Sequence, residues 1–208
     1  MIGNDLVDLL TAQQESNWQR PRFLEKIFTP TEIIFIEKSA NPALAVWWLW
    51  SKKESVYKII ARLEQRRFFA PKKIVCLLDK PTSSIDLPQA PVSVQYHKQT
   101  FQTTSFVKEH FLHTIAYQAP SSPFILLEDW YMEKREAVIQ SQKVRQKLLA
   151  AYAQYTHLEQ AYLNIQKDTI GIPTLYYKNK KQFTAFSLSH HGNYVGFAIA
   201  FPANPCAK

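Results

Sequence analysis

The residues best suited to chemistry lie in the segment Trp-Ser-Lys-Lys-Glu-Ser-Val-Tyr-Lys at positions 50–58. Trp50, Glu54 and Lys58 are spaced by four residues, so in a helix their side chains project from nearly the same face. A carboxylate one turn before an ammonium can place a metal ligand beside a phosphate-binding group. The same spacing also describes an ordinary surface ion pair, which contributes only about 0.3–0.5 kcal/mol. The spacing alone does not distinguish a metal and phosphate site from a surface ion pair, so the interpretation depends on the other motifs in the chain.

A second acid lies near the amino terminus, in the apolar segment Ile-Gly-Asn-Asp-Leu-Val-Asp-Leu at positions 2–9. In a strand, Gly3 would allow a ligand or another backbone to approach closely. Burying the charge of Asp5 is unfavourable in free energy unless a cation lies beside it. The alternative is a strand-end aspartate that bonds its own backbone. Asp8 would point to the other side of the strand, and we expect it to be a solvated or helix-capping acid.

Two hydroxyls and two imidazoles follow one another in Phe-Ser-Leu-Ser-His-His-Gly at positions 186–192. This segment reads as a strand end before a turn, where such donors could bind a phosphate. A Ser-His pair without a nearby acid is weak evidence for nucleophilic catalysis. A loop histidine with ordinary hydrogen bonds is the alternative.

A long helix is predicted to carry the Trp50 to Lys58 segment. The apolar residues that recur at helical spacing between about 43 and 64 are Leu44, Trp47, Trp48, Val56, Ile59 and Ile60. Before it, Thr29 as N-cap, Pro30 at the first position and Glu32 at the third predict a helix start with a capping box. Further helices are predicted at 16–26 and 133–155, and strands at 2–10, 73–78, 92–97, 101–107, 111–117, 124–129, 174–178, 183–189 and 194–201.

The two halves of the chain share an order of strand, helix and terminal antiparallel run. The segment 101–105 resembles 183–187, and each is followed by a histidine and an alanine-containing strand. This weak repeat suggests two copies of one α+β unit. We predict an α+β fold of two lobes, residues 1–119 and 120–208, with a loop at 79–91 and a junction at 120–123.

Composition limits the function classes without choosing among them. The 208 residues carry a formal charge of +8, which favours a polyanionic partner such as nucleic acid, an anionic membrane, a phosphorylated small molecule or an acidic protein. Cys76 and Cys206 indicate neither a disulfide framework nor a zinc site, which suits the cytoplasm. No apolar run is long enough to span a bilayer, and no leader segment is expected. The tryptophans could stack on bases, but Trp47 and Trp48 have the spacing of core residues.

In this order, the motifs resemble those of the 4'-phosphopantetheinyl transferase superfamily. Residues 2–9 resemble its G-x-D strand, 28–32 its F-[ST]-x-x-E segment, 50–58 its W-x-x-K-E-[SA]-x-x-K helix and 187–190 its S-x-S-H element. Residues 66–165 match no motif. Two positions depart from the pattern: Val7 stands where larger members carry a third acidic ligand, and Ile172 replaces the basic residue of a G-K-P turn. The contact made by the missing cation would be either lost or supplied by Lys178, Lys180 or Lys181.

The resemblance implies a pseudo-dimer of two lobes, each with a small antiparallel sheet packed on a long helix. It also implies transfer of the phosphopantetheine arm of coenzyme A to a carrier-protein serine, with release of 3',5'-ADP. Asp5 and Glu54 would hold Mg²⁺, and Glu54 would act as the base for the serine hydroxyl. Lys58 would stabilise charge on the leaving side.

The other site residues implied by the resemblance bind substrates. Lys53, Ser189 and His190 would contact phosphates of coenzyme A. The basic stretch Arg20, Arg22 and Lys26 would dock an acidic carrier protein, unless it is only a solvated helix face. The partners expected are a carrier protein and coenzyme A rather than nucleic acid or membrane, for a cytoplasmic monomer with pseudo-twofold symmetry. A non-catalytic relative that keeps the fold is the alternative function.

Overall fold

A computed structural model describes residues 1–78, 86–118 and 124–201. Its helices are α1 (Leu9–Glu15), α2 (Phe23–Ile27), α3 (Pro30–Lys38), α4 (Pro42–Glu64) and α5 (Ala137–Thr156). Its strands are β1 (Ile2–Asp8), β2 (Ile74–Cys76), β3 (Val92–Tyr96), β4 (Gln99–Val107), β5 (Phe111–Gln118), β6 (Phe124–Tyr131), β7 (Leu163–Lys167), β8 (Pro173–Tyr177), β9 (Lys180–Lys181), β10 (Ala185–His191) and β11 (Tyr194–Phe201). The predicted junction at 120–123 and most of the loop at 79–91 lie outside the described residues.

The amino-terminal half is a five-stranded antiparallel sheet in the order β1-β5-β4-β3-β2, covered by α4. The buried face of α4 carries Trp48, Val56 and Ile59, and each such side chain contributes about 1.5–3 kcal/mol when fully buried. Trp48 stacks on Phe35 of α3 with ring centroids 5.7 Å apart. Trp47 and Trp48 are both buried, so they are core residues and not a base-stacking surface.

The strand β1 and the helix α4 touch backbone to backbone at Gly3. A Cβ placed there would lie 1.9 Å from the Ser55 carbonyl oxygen, so the glycine admits a helix and not a ligand. The small side chains of Ser51 and Ser55 face the sheet and donate to the Asp5 and Thr114 carbonyls at 3.3 and 3.2 Å. This close packing brings Asp5 to the helix that carries Glu54.

The carboxyl-terminal half contains the antiparallel sheet β10-β11-β6, with α5 packed against it, and a smaller sheet β7-β8-β9. Val144 and Leu148 of α5 meet Phe186, Val195 and Phe197 of the sheet in a second core. The α+β fold class predicted from the sequence is confirmed. The predicted twofold relation between the halves, and the boundary after residue 119, stay predictions.

Local predictions held where tertiary contacts did not compete. Thr29, Pro30 and Glu32 form the predicted capping box, and α4 begins and ends within a residue of the predicted range. The predicted helix at 16–26 was correct only for its last residues: residues 16–22 are not helical, Arg22 has a φ of +65°, and α2 begins at Phe23. The strand predicted to reach residue 10 ends at Asp8, because that side chain caps α1 by accepting from the Thr11 N–H.

Candidate active site

Asp5, Glu54 and Lys58 come together where β1 meets α4. The Lys58 ammonium donates to the Asn4 carbonyl at 2.7 Å and lies 3.5 Å from Asp5 Oδ1. Burial raises the pKa of Glu54 to about 7, the Lys58 charge opposes this, and the Asp5 carboxylate raises it further. The Asp5 carboxylate and the Lys58 ammonium are therefore both close enough to affect the ionisation of Glu54.

The arrangement fits a divalent cation held by two carboxylates. Asp5 is 7% exposed, and its Oδ2 atom is buried without a hydrogen-bond partner. Such an atom is costly unless a further group satisfies it. No cluster of three or more acidic, histidine or cysteine ligands occurs in the described residues. Asp5 and Glu54 would supply two oxygens, with water and substrate completing the shell, as Mg²⁺ commonly allows. Val7 is buried in the core and provides no third acid.

The alternating residues Ser187, Ser189 and His191 accept hydrogen bonds from the edge of β1 that does not pair with β5. The N–H groups of Asn4, Leu6 and Asp8 donate to Ser187 Oγ, Ser189 Oγ and His191 Nδ1, each at 3.0 Å. These N–H groups point away from β5 and would otherwise be buried without partners. The Ser-x-Ser-x-His pattern thus joins the two halves of the chain through side chains.

Ser189 contacts the catalytic candidates in addition to the β1 backbone. Its hydroxyl lies 3.3 Å from Asp5 Oδ1, to which it donates, and 3.4 Å from the Lys58 ammonium. Ser189 is only 4% exposed. The hydroxyl predicted to bind a phosphate is instead occupied in orienting Asp5, which makes Ser189 a positioning residue.

His190 is the exposed member of the histidine pair. It lines a depression together with Asp5 and Trp50. Desolvation, and then the nearby charges of Lys58 and His191, lower its pKa. The structure therefore leaves His190 available to a ligand beside Asp5, and its predicted contact with a phosphate stays a prediction.

Lys53 does not reach this site. Its ammonium forms an ion pair with Glu32 Oε1 at 2.8 Å, and both side chains are fully buried. The same ammonium donates to the carbonyls of Pro71 and Ile74. The prediction that Lys53 binds a phosphate is wrong, because all of its donors are consumed inside the amino-terminal core.

Asp8 is a buried capping acid and not a solvated one. It is 3% exposed. Burial opposes its ionisation, but the N–H groups of Asn193 and Thr11 outweigh burial and lower its pKa. Asp8 therefore ties α1 to the turn between β10 and β11. At that turn, Gly192 has a φ of +57°, and an added Cβ would lie 2.3 Å from Asp8 Oδ2.

A cavity of about 230 Å³ continues along α4 from the acids. Its lining includes Glu54, Lys58, Arg62, Arg67, Ile172 and Leu188. Sequence reasoning missed both arginines, although Arg62 continues the four-residue spacing of the motif. Lys178 lies over the rings of Tyr162 and Tyr177. The lysines proposed to replace the cation missing at Ile172 (Lys178, Lys180 and Lys181) do not line this cavity.

The predicted docking residues are all exposed around α2: Arg20, Arg22 and Lys26. The Arg20 guanidinium lies 5.1 Å from the centroid of the Phe23 ring. A groove beside this region is lined by Trp18, Ser16 and Trp47, and the last two also border the depression that contains Asp5. The basic surface thus adjoins the candidate active site.

Comparison with known protein families gives a match. The family model of the 4'-phosphopantetheinyl transferase superfamily matches residues 1–116, which include β1, the capping box and α4. No curated protein matches the chain. In the part of the chain that the structure describes, no helix is long and apolar enough to cross a membrane. Since the family match covers more than half of the 208 residues, this chain belongs to the 4'-phosphopantetheinyl transferase superfamily.

Proposed function

We propose that the protein transfers the 4'-phosphopantetheine arm of coenzyme A to a serine hydroxyl of an acyl or peptidyl carrier protein and releases 3',5'-ADP. The observation that carries the proposal is that Asp5 pairs with Lys58 through Oδ1 and influences Glu54, while its Oδ2 atom is buried without a partner. Two acids that would hold a divalent cation beside an ammonium suit a reaction that needs charge neutralisation around a pyrophosphate more than it needs covalent catalysis.

In this mechanism the serine oxygen attacks the phosphorus that bears pantetheine, and the bond from that phosphorus to the 3',5'-ADP oxygen breaks. Glu54 accepts the serine proton, directly or through a water. Lys58 offsets negative charge on the departing phosphate. Asp5 and Glu54 would hold Mg²⁺, which would neutralise the pyrophosphate when bound. Ser189 orients Asp5, and His190 contacts a phosphate.

The carrier protein would dock on the basic surface formed by Arg20, Arg22 and Lys26. Carrier proteins are typically acidic, so opposite charges would steer the encounter and make its rate fall with salt. We further propose a cytoplasmic monomer in which residues 1–119 and 120–208 form the two lobes. Its site is the seam between β1 and β10.

The proposal is tested by incubating the protein with coenzyme A, Mg²⁺ and a panel of apo carrier proteins, and then weighing the carriers. Transfer predicts a mass gain of one phosphopantetheine arm on at least one carrier. Asp5→Asn and Glu54→Gln should each lose at least about a hundredfold in rate. Glu37→Gln, which alters an exposed acid on α3, should keep the rate.

The same experiment separates the alternative functions. A non-catalytic relative would bind coenzyme A or a carrier and leave every mass unchanged. Near-normal transfer by Asp5→Asn or by Glu54→Gln would contradict the residue assignments, even if the carrier gains mass with the wild-type protein.

A further inference from the structure

The cavity beyond Lys58 carries an excess of positive charge. Its lining includes Lys58, Arg62 and Arg67 and one acid, Glu54. The amino group of Met1 lies near enough to Arg62 for its pKa to be lowered, first by burial and then by the arginine charge. A partly enclosed site of one sign concentrates ligands of the opposite sign.

Arg62 lines the cavity and contacts a backbone carbonyl and an aromatic ring. Its Nη1 donates to the Pro173 carbonyl at a long 3.5 Å, and its guanidinium lies 5.6 Å from the Phe186 ring centroid. Burial lowers the pKa of Arg62 to about 10, against the opposing charge of Asp168. Within the described residues, no carboxylate forms an ion pair with this guanidinium. Most of its five N–H donors are therefore free for a ligand.

Arg67 approaches the same cavity from beyond the end of α4. Its Nη2 donates to the Gly171 carbonyl at 2.7 Å, and the rest of its side chain is exposed. Among the described residues, Arg67 forms no ion pair with a carboxylate, and Oδ1 of Asp168 accepts the N–H groups of Ile170 and Ile172 within the turn. Both arginines thus contact the turn at 171–173, where Ile172 is buried and uncharged.

We infer that Arg62 and Arg67 together bind the 3'-phosphate of coenzyme A and take the place of the basic residue that Ile172 lacks. This inference rests on coenzyme A being the substrate of the proposed function. A phosphate monoester carries close to two negative charges, and a pair of guanidinium groups matches it in charge and in donor geometry. Arg62 lies one helical turn from Lys58, about 6 Å along the axis, which leaves the pyrophosphate to Lys58 and to the cation that the acids would hold.

The test compares coenzyme A with dephospho-coenzyme A, which lacks only the 3'-phosphate. Binding of both compounds is measured by titration calorimetry for the wild type, Arg62→Gln and Arg67→Gln. Arg66→Gln is the matched control, because Arg66 is exposed, is paired with Glu64 at 2.8 Å and does not line the cavity.

Each cavity substitution should weaken coenzyme A binding at least about tenfold, leave dephospho-coenzyme A unchanged, and remove the preference of the wild type for coenzyme A. Arg66→Gln should match the wild type. Equal losses for both compounds, no loss for either, or no binding by the wild type would overturn the inference. Arg67 is exposed, so its variant keeps the test valid if Arg62→Gln fails to fold.

The outcome is distinguishable from failure of the proposed function. If the wild type binds coenzyme A through both arginines but adds no mass to any carrier, the 3'-phosphate site stands and the transferase proposal fails. If mass transfer occurs and the arginine variants bind both compounds normally, the transferase proposal stands and this inference fails.

Discussion

Substituting Lys53 by Met tests whether this lysine is a core residue or a phosphate ligand. The Lys53 ammonium and the Glu32 carboxylate are both fully buried and lie 2.8 Å apart. Removing one partner leaves an uncompensated buried charge, which costs about 3–5 kcal/mol. Total stabilities of domains are only about 5–15 kcal/mol, so Lys53→Met should lose a large share of the free energy of unfolding.

Urea denaturation at neutral pH, followed by circular dichroism, measures this loss. The double variant Glu32→Gln, Lys53→Met removes both charges, and it should recover much of the stability because pairs replaced together are often close to neutral. The glutamine can still accept one of the N–H groups, from Thr29 or Cys76, that Glu32 binds at 2.7 and 2.9 Å.

A different result would show that Lys53 reaches the nucleotide after all. In that case Lys53→Met would stay within about 0.5 kcal/mol of the wild type while its affinity for coenzyme A fell. The placement of Lys53 in the core would then be wrong.

Three further predictions concern α4 and its neighbours. Burial lowers the pKa of Lys52 from 10.5 to about 8, so the folded state loses this proton first. The free energy of unfolding should therefore increase by about 3 kcal/mol as the pH is raised from about 8 to about 10.5. Urea titrations of Lys52→Met should not show this increase. Gly3→Ala should cost several kcal/mol in thermal unfolding, because its methyl group would meet the Ser55 carbonyl at 1.9 Å. With the pKa of Glu54 near 7, Mg²⁺ affinity by calorimetry should fall about tenfold per pH unit below that value.

Each of these predictions has a result that would contradict it. An unchanged pH profile in Lys52→Met would place the titration elsewhere in the protein. A stable Gly3→Ala would mean that α4 can move away from β1 at little cost. Mg²⁺ affinity that does not depend on pH would remove Glu54 from the metal site.

The sequence correctly predicted elements that depend on residues close to one another in the chain. The apolar spacing in α4 and the capping box at Thr29 depend on neighbours within a few residues, and both were predicted correctly. The first part of the helix predicted at 16–26 did not form because its basic and polar residues lack an apolar stripe, and Pro21 and Arg22 interrupt it. The short strand β7 was missed since its five residues gain their order by pairing with β8.

The site was less accessible to sequence reasoning because it depends on long-range contacts. Lys53 and Lys58 belong to one motif, yet only the fold turns the first towards Glu32 and the second towards Asp5. The alternation of Ser187, Ser189 and His191 did contain a signal. Polar residues at period two on one face of a strand indicate a polar seam, here the edge of β1 that does not pair with β5. Arg67 had no such signal, since the turn that it contacts is distant in sequence.

Asp5 and Glu54 are proposed to coordinate a single divalent cation. Titration of Mn²⁺ in the presence of coenzyme A, followed by electron paramagnetic resonance, counts bound ions directly and does not require turnover. The wild type should bind one ion tightly, and Asp5→Asn and Glu54→Gln should each weaken that site at least about tenfold, while Glu37→Gln leaves it unchanged. Wild-type Mn²⁺ affinity in either Asp5→Asn or Glu54→Gln would contradict the shared site.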